Sequence, residues 1–266
     1  MDKRTTPIAK IFLIAVFLIL YVPIFFLIYY SFNSGGTMSH FKGFTLDWYR
    51  QLFGDTRMFI IVLNTLVIAL LSSLSATVIG VFGALAIYSY KRRAKNTLLS
   101  FNNVLIVSPD VIIGASFLIL FTMAGIQLGF MSVLLSHIAF SIPIVVLLVL
   151  PKLNEMRPSL IDAARDLGAS NWHVLSKVVL PFISPGILAG FFMALTYSLD
   201  DFAVTFFVTG NGFTTLSVEI YSLARRGISL HINALSAVLF LFTIVLVIVY
   251  YFISRRSSMK TMGVRK

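Results

Sequence analysis

Three carboxylates fall inside long apolar runs of this 266-residue chain: Asp110, and the adjacent pair Asp200 and Asp201. A carboxylate at a bilayer centre costs about 2.5–3.5 kcal/mol on insertion scales, so such groups face a protein interior or a water-filled route. No Lys or Arg lies within those runs to neutralise them. A cation passing through would meet acids at successive depths, and Tyr197, Phe202, Phe206 and Phe207 offer ring faces to an ammonium group. An anion would be repelled. The same acids also have a structural reading: Asp110 could cap the helical stretch after Pro109 or sit protonated and hydrogen-bonded, and Asp200-Asp201 could mark the outer end of a span. With no cysteine, thiolate metal sites, disulfides and a cysteine nucleophile are excluded. The four histidines show no metal-ligand spacing. His137 and His231 read as interfacial or hydrogen-bonded histidines without an assigned role. No paired nucleophile and base occurs in the spans, so a membrane-embedded hydrolase is disfavoured, and neither a metal nor a cofactor is expected.

The elements that carry these acids follow from composition. Hydrophobic residues make up 58% of the chain, charged residues only 12%, and the mean hydropathy is +0.95, which excludes a water-soluble globule. A hydrocarbon core of about 30 Å needs ~20 apolar helical residues. Six stretches meet that length: residues 11–32, a second inside 58–90, 98–124 with Pro109 and Asp110 inside it, 130–150, 181–208 and 232–253. The first lacks a small-residue cleavage site and reads as a retained helix. The expected fold is all-α, a polytopic membrane protein of six transmembrane helices forming one domain over residues 1–266. On an uninterrupted helix, Asp110 lies about 18 Å along its span from Leu98 and Asp200 about 28 Å from Pro181.

Six spans place both termini on one side. That side collects sixteen of the 21 basic residues, among them Lys3, Arg4, Lys10, Lys91, Arg92, Arg93, Lys95, Lys152, Arg255, Arg256, Lys260, Arg265 and Lys266. By the positive-inside rule both termini and the loop 151–177 are cytoplasmic. The scatter of the +11 net charge between apolar runs argues against nucleic-acid binding. Outside, Trp48 and Tyr49 read as interfacial aromatics, and residues 214–226 either lie on the surface or re-enter between helices.

Loop 151–177 has the punctuation of helix, turn and helix. Ser159 with Asp162 resembles a capping box, Gly168 suits a positive-φ stop, and Ser170 can start the next helix. Leu160, Ala163, Ala164 and Leu167 share one helical face, which could pack on this chain or dock on a partner. Asp162-Ala163-Ala164, three residues, Gly168, nine residues, Val178, one residue, Leu180-Pro181 resembles the EAA signature of inner-membrane permeases of binding-protein-dependent ABC importers. Asp162 stands in the usual Glu place and Val178 in that of Ile. The resemblance implies a coupling helix, with Asp162, Ala163, Ala164, Gly168, Leu180 and Pro181 contacting or serving a separate ATPase. The chain contains no Gly-Lys dipeptide and therefore no P-loop, so it is not itself expected to be an enzyme.

Ser108-Pro109-Asp110, Asp166-Leu167-Gly168-Ala169-Ser170, Ser198-Leu199-Asp200-Asp201, Phe207-Val208-Thr209-Gly210 and Asn233-Ala234-Leu235 extend the resemblance over residues 11–253, to permeases of the polyamine type. This implies an ATP-driven importer of spermidine or putrescine in the bacterial inner membrane. It also implies a second, different permease chain, two ATP-binding subunits and a soluble extracytoplasmic binding protein. Asp110, Tyr197, Asp200, Asp201 and Phe202 would then line or gate the cation route. The alternatives are a permease of the same architecture for ferric ion, an amino acid or an anion, and a stand-alone channel or secondary transporter.

Overall fold

A computed structural model describes residues 7–226 and 230–263; Lys3, Arg4, Arg265 and Lys266 of the orientation argument lie outside these. Among the described residues the regular structure is helical, with a single isolated bridge between Asn33 and Phe44. The helices are α1 (Pro7–Tyr30), α2 (Asp47–Gly54), α3 (Thr56–Ser89), α4 (Arg92–Val107), α5 (Asp110–Met123), α6 (Phe130–Glu155), α7 (Pro158–Asp166) and α8 (Asn171–His173). A π-helical stretch, Val174–Val179, leads into α9 (Leu180–Asp200), followed by α10 (Ala203–Val208), α11 (Leu216–Arg225) and α12 (Leu230–Gly263). Four helical stretches are long and apolar enough to cross a membrane: Ile8–Tyr30, Thr56–Ser89, Phe130–Glu155 and Asn171–Asp200. The sixth expected stretch falls within α12, whose Leu230–Val245 part is apolar.

The expected third span, 98–124, is not one straight helix. It breaks into α4 and α5 at Ser108-Pro109, with a bend of 104°. Pro109 has no N–H to continue the helix, and it pushes Ser108 into extended backbone at ψ 139. The depth reckoned for Asp110 along an unbroken helix therefore does not apply. The expected fifth span, 181–208, is also interrupted, because α9 ends at Asp200 and the chain turns through extended Asp201 before α10. In loop 151–177, α6 runs on to Glu155, and α7 starts with Pro158 in its first turn and Arg157 at the capping position. Ser159 is thus inside the helix and is not its cap; a proline, whose missing N–H costs nothing there, sets the start.

The chain forms two compact units, and the division falls after Phe59 within α3 and after Glu219 within α11. In the unit of residues 60–219, α6 and α9 form the densest packing. Val145, Val146, Val149 and Leu153 of α6 meet Ile183 and Ala194 of α9 in an apolar cluster. Small residues permit this approach: a Cβ on Gly186 would lie 2.9 Å from the Leu148 carbonyl oxygen, and one on Gly80 of α3 would lie 2.7 Å from the Val145 side chain.

The other unit joins α1, α2 and α12. Helix α1 leaves Ile11, Phe12 and Ile19 exposed, as an apolar helix in lipid can. Trp48 and Tyr49, expected as interfacial aromatics, are half-buried and hold the loop that follows α1. The Trp48 indole donates to the Asn33 carbonyl at 2.9 Å, and the Tyr49 hydroxyl pairs with Ser31 at 2.6 Å. Buried Asn33 closes that loop by donating to the Thr37 and His40 carbonyls and accepting from the Gly35 and Lys42 amides.

Candidate functional site

The sequence-expected acids occupy the two helix breaks. Asp110 opens α5, where a negative charge suits the helix dipole. Its carboxylate is exposed, and Oδ1 accepts from the Tyr197 hydroxyl of α9 at 2.7 Å. Tyr197 is in turn fixed edge-to-face against Phe140 of α6, with ring centroids 5.0 Å apart. The structure thus brings together Asp110 and Tyr197, which are 87 residues apart in sequence, into an open acid–aromatic pair.

The second break treats its two acids differently. Asp200, the last residue of α9, is exposed. The Asp201 side chain is only 5% exposed. It accepts from the Thr205 amide at 2.8 Å, the Thr205 hydroxyl at 2.6 Å and the Val204 amide at 3.3 Å. The two amides are orphan donors of the first turn of α10, so Asp201 caps that turn from the residue before the N-cap, Phe202. Three donors therefore already meet the Asp201 carboxylate. Phe202 is half-buried and its ring meets that of Phe206, with centroids 5.4 Å apart.

Behind this break lies a buried polar cluster that sequence reasoning missed. His137 of α6 reaches Ser198 Oγ through Nδ1 at 2.6 Å and Thr205 Oγ1 through Nε2 at 2.8 Å. Ser198 continues to Ser72 of α3 at 3.0 Å. The far end of α10 is tied to α6 as well, since the Ser132 hydroxyl donates to the Val208 carbonyl at 2.7 Å. Close contact of α5 with α10 depends on Gly114, where a Cβ would fall 2.8 Å from the Phe207 ring. The start of the 214–226 segment joins the same region. Ser217 donates to the Asp201 carbonyl at 2.6 Å, and the Leu216 amide donates to Thr65 at 2.8 Å. Only the Asp201-x-x-x-Thr205 spacing carried a signal for this cluster, as a helix-cap pattern.

The segment from α7 to Pro181 is exposed at several of the positions expected to make contact. Asp162, Ala163 and Leu160 are solvent-facing, and Leu167 and Trp172 are 89% and 68% exposed. Ala164 and Ile161 point inward onto the α6–α9 cluster, so the four-residue face expected to act together is split. Gly168 has φ +81 and ends α7 as anticipated, with the Ala169 amide bonded to the Ala164 carbonyl and the Gly168 amide to that of Arg165. Leu180 is half-buried on the same cluster and Pro181 is exposed.

Residues 76–261 match the family described as binding-protein-dependent transport system inner membrane component. The chain belongs to that family. Among similar members of known name, the spermidine/putrescine transport system permease protein PotC of Escherichia coli K12 is 38% identical over 95% of this chain and 96% of its own length. The protein of that name in Haemophilus influenzae is 34% identical over 93% and 96%. The putrescine transport system permease protein PotI of Escherichia coli K12 is 33% identical over 88% and 86%. The permease fold recurs in a bacterial ABC transporter involved in import of the acidic polysaccharide alginate, at a TM-score of 0.70, 20% identity and coverage of 91% and 92%. It recurs also in the MetNI methionine ABC transporter, at a TM-score of 0.60, 20% identity and coverage of 76% and 96%. The chain is therefore an inner-membrane transport component, and its named relatives are permease subunits.

Proposed function

We propose that this permease carries polyamines, spermidine or putrescine, inward across the bacterial inner membrane as one subunit of an ATP-driven importer. The observation that carries the cargo class is the Asp110–Tyr197 pair: an exposed carboxylate held by a phenol beside an aromatic ring, at a helix break, suits an ammonium group and repels an anion. Exposed Asp200 would offer a second acid along the route, Phe202 would narrow it, and Asp201 would add charge from behind Thr205 without donating a ligand oxygen. The names of the relatives support the same cargo. Both termini and the loop 151–177 would be cytoplasmic, by the distribution of basic residues.

Work would enter through α7 and the residues after it. Exposed Asp162 and Ala163, with Leu160, Leu167 and Trp172 nearby, form a surface for one of two ATP-binding subunits, while Ala164 and Leu180 transmit its motion to the α6–α9 core. A second permease chain and a soluble binding protein outside would complete the machine. Reconstitution of all four components in vesicles tests this reading: ATP-dependent spermidine or putrescine uptake is expected, and uptake of another solute with none of polyamine would overturn it. Gly168→Leu forces a side chain into a positive φ, at a cost of ~1–2 kcal/mol. It is expected to cut ATPase recruitment or coupled uptake, and wild-type values for both would remove the docking role.

A further inference from the structure

His137 belongs to none of the groups with an assigned role, yet it is 0% exposed and touches three other helices directly or through one hydroxyl. The direction of its hydrogen bonds can be assigned from the hydroxyl protons. Thr205 has one proton and donates it to Asp201 Oδ2, so toward His137 its oxygen accepts and Nε2 carries the hydrogen. Nδ1 meets the Ser198 hydroxyl, which in turn meets the hydroxyl of Ser72. The hydrogen bonds link Ser72, Ser198, His137, Thr205 and Asp201 in one series, and the Ser72 hydroxyl also reaches the Ala69 carbonyl at 3.3 Å. The chain crosses α3, α9, α6 and α10 and ends on the carboxylate that caps α10, with Asp201 Oδ2 3.5 Å from Nε2.

Six-residue α10 is too short to persist by itself, so its place depends on what grips it. Ser132 holds its end and His137 its beginning. Asp200 stands between the last turn of α9, gripped through Ser198, and the cap of α10, gripped through Thr205. We propose that His137 is a positioning residue: it latches the α9–α10 break so that Asp200 is presented toward passing cargo, without touching cargo itself. For the role of Asp200 the inference rests on the polyamine reading; the latch does not.

The test uses the complete transporter in vesicles, with His137→Leu and His137→Gln. Gln retains an amide that can donate to Thr205; Leu retains neither bond. One readout is spermidine moved per ATP hydrolysed, a ratio that a mere loss of assembled protein leaves unchanged. The other is thiol labelling of Val204→Cys, since Val204 is 1% exposed and the chain has no cysteine of its own. His137→Leu is expected to lower the ratio at least fivefold and speed labelling at least tenfold, and His137→Gln to return both toward wild type. Unchanged ratio and labelling in His137→Leu, or equal losses in Leu and Gln, would overturn the latch. Should His137→Leu fail to assemble, His137→Gln is compared with His137→Asn, whose shorter amide reaches Ser198 alone. Slower labelling in Gln than in Asn supports the latch, and equal rates overturn it. If the wild type moves no polyamine, the cargo reading fails and the labelling arm still decides the latch.

Discussion

The two helix breaks contain the same ingredients and use them in opposite ways. At Ser108-Pro109-Asp110 the proline stops one helix, the next starts at a sharp angle, and the acid stays in the open with a single side-chain donor, Tyr197. At Asp200-Asp201-Phe202 no proline intervenes; the turn is held by Asp201, which draws its donors from the next helix and becomes buried in doing so. The difference lies one turn downstream of each acid. Thr205 stands four residues after Asp201 and supplies both an amide and a hydroxyl, whereas apolar Gly114 stands at the same interval after Asp110 and offers no side-chain donor. An acid in an apolar run is therefore available to cargo only where its own backbone neighbourhood leaves its oxygens unclaimed.

The largest effect expected from this contrast is on stability at the second break. Asp201→Ala strips buried donors of their acceptor, each at a cost of about 1–3 kcal/mol, so a loss of roughly 3 kcal/mol or more is expected. A thermal melt of the detergent-solubilised transporter measures it, and Asp110→Ala in parallel should shift the melt far less; equal shifts would erase the distinction. Next comes transport. Asp110→Asn keeps the shape and removes the charge, and a drop in spermidine uptake of about tenfold at an unchanged melting temperature is expected, the size of one charge-assisted hydrogen bond. Wild-type uptake in that variant would make Asp110 a helix-start residue only. The smallest effect belongs to Ser72→Ala at the far end of the hydroxyl chain. About 1 kcal/mol is expected there, because Ser198 loses one hydrogen-bond partner but keeps His137.

The same physics separates the features legible in the sequence from those hidden in it. Long apolar helices at 8–30, 56–89 and 130–155 were legible because hydrophobic length alone makes them. The Gly168 stop was legible because positive φ selects glycine. The bend at Pro109 was not, since a proline in an apolar run permits either a kinked span or a broken one, and packing decides. The start of α7 was misplaced by two residues because proline and serine compete for the first turn, and here proline took it. His137 stayed silent for a different reason. Its partners Ser72, Ser198, Thr205 and Asp201 lie 61 or more residues away in sequence, so no local spacing links them. Tyr197 was picked as an aromatic face, but its bond to Asp110, formed across the break, needed coordinates.

The π-helical stretch Val174–Val179 sits between the exposed segment bearing Trp172 and the packed body of α9. A wider turn accommodates one more residue than an ordinary one, so it acts as a splice that absorbs that residue and keeps the turns on either side in nearly the same angular phase. Deleting a single residue there would let the ordinary winding close with Trp172 on nearly the same side of the axis, whereas a deletion within the regular turns of α9 would swing it by about 100°. The wide turn is thus the place in this helix where a residue can come or go without sending the indole to a different quadrant.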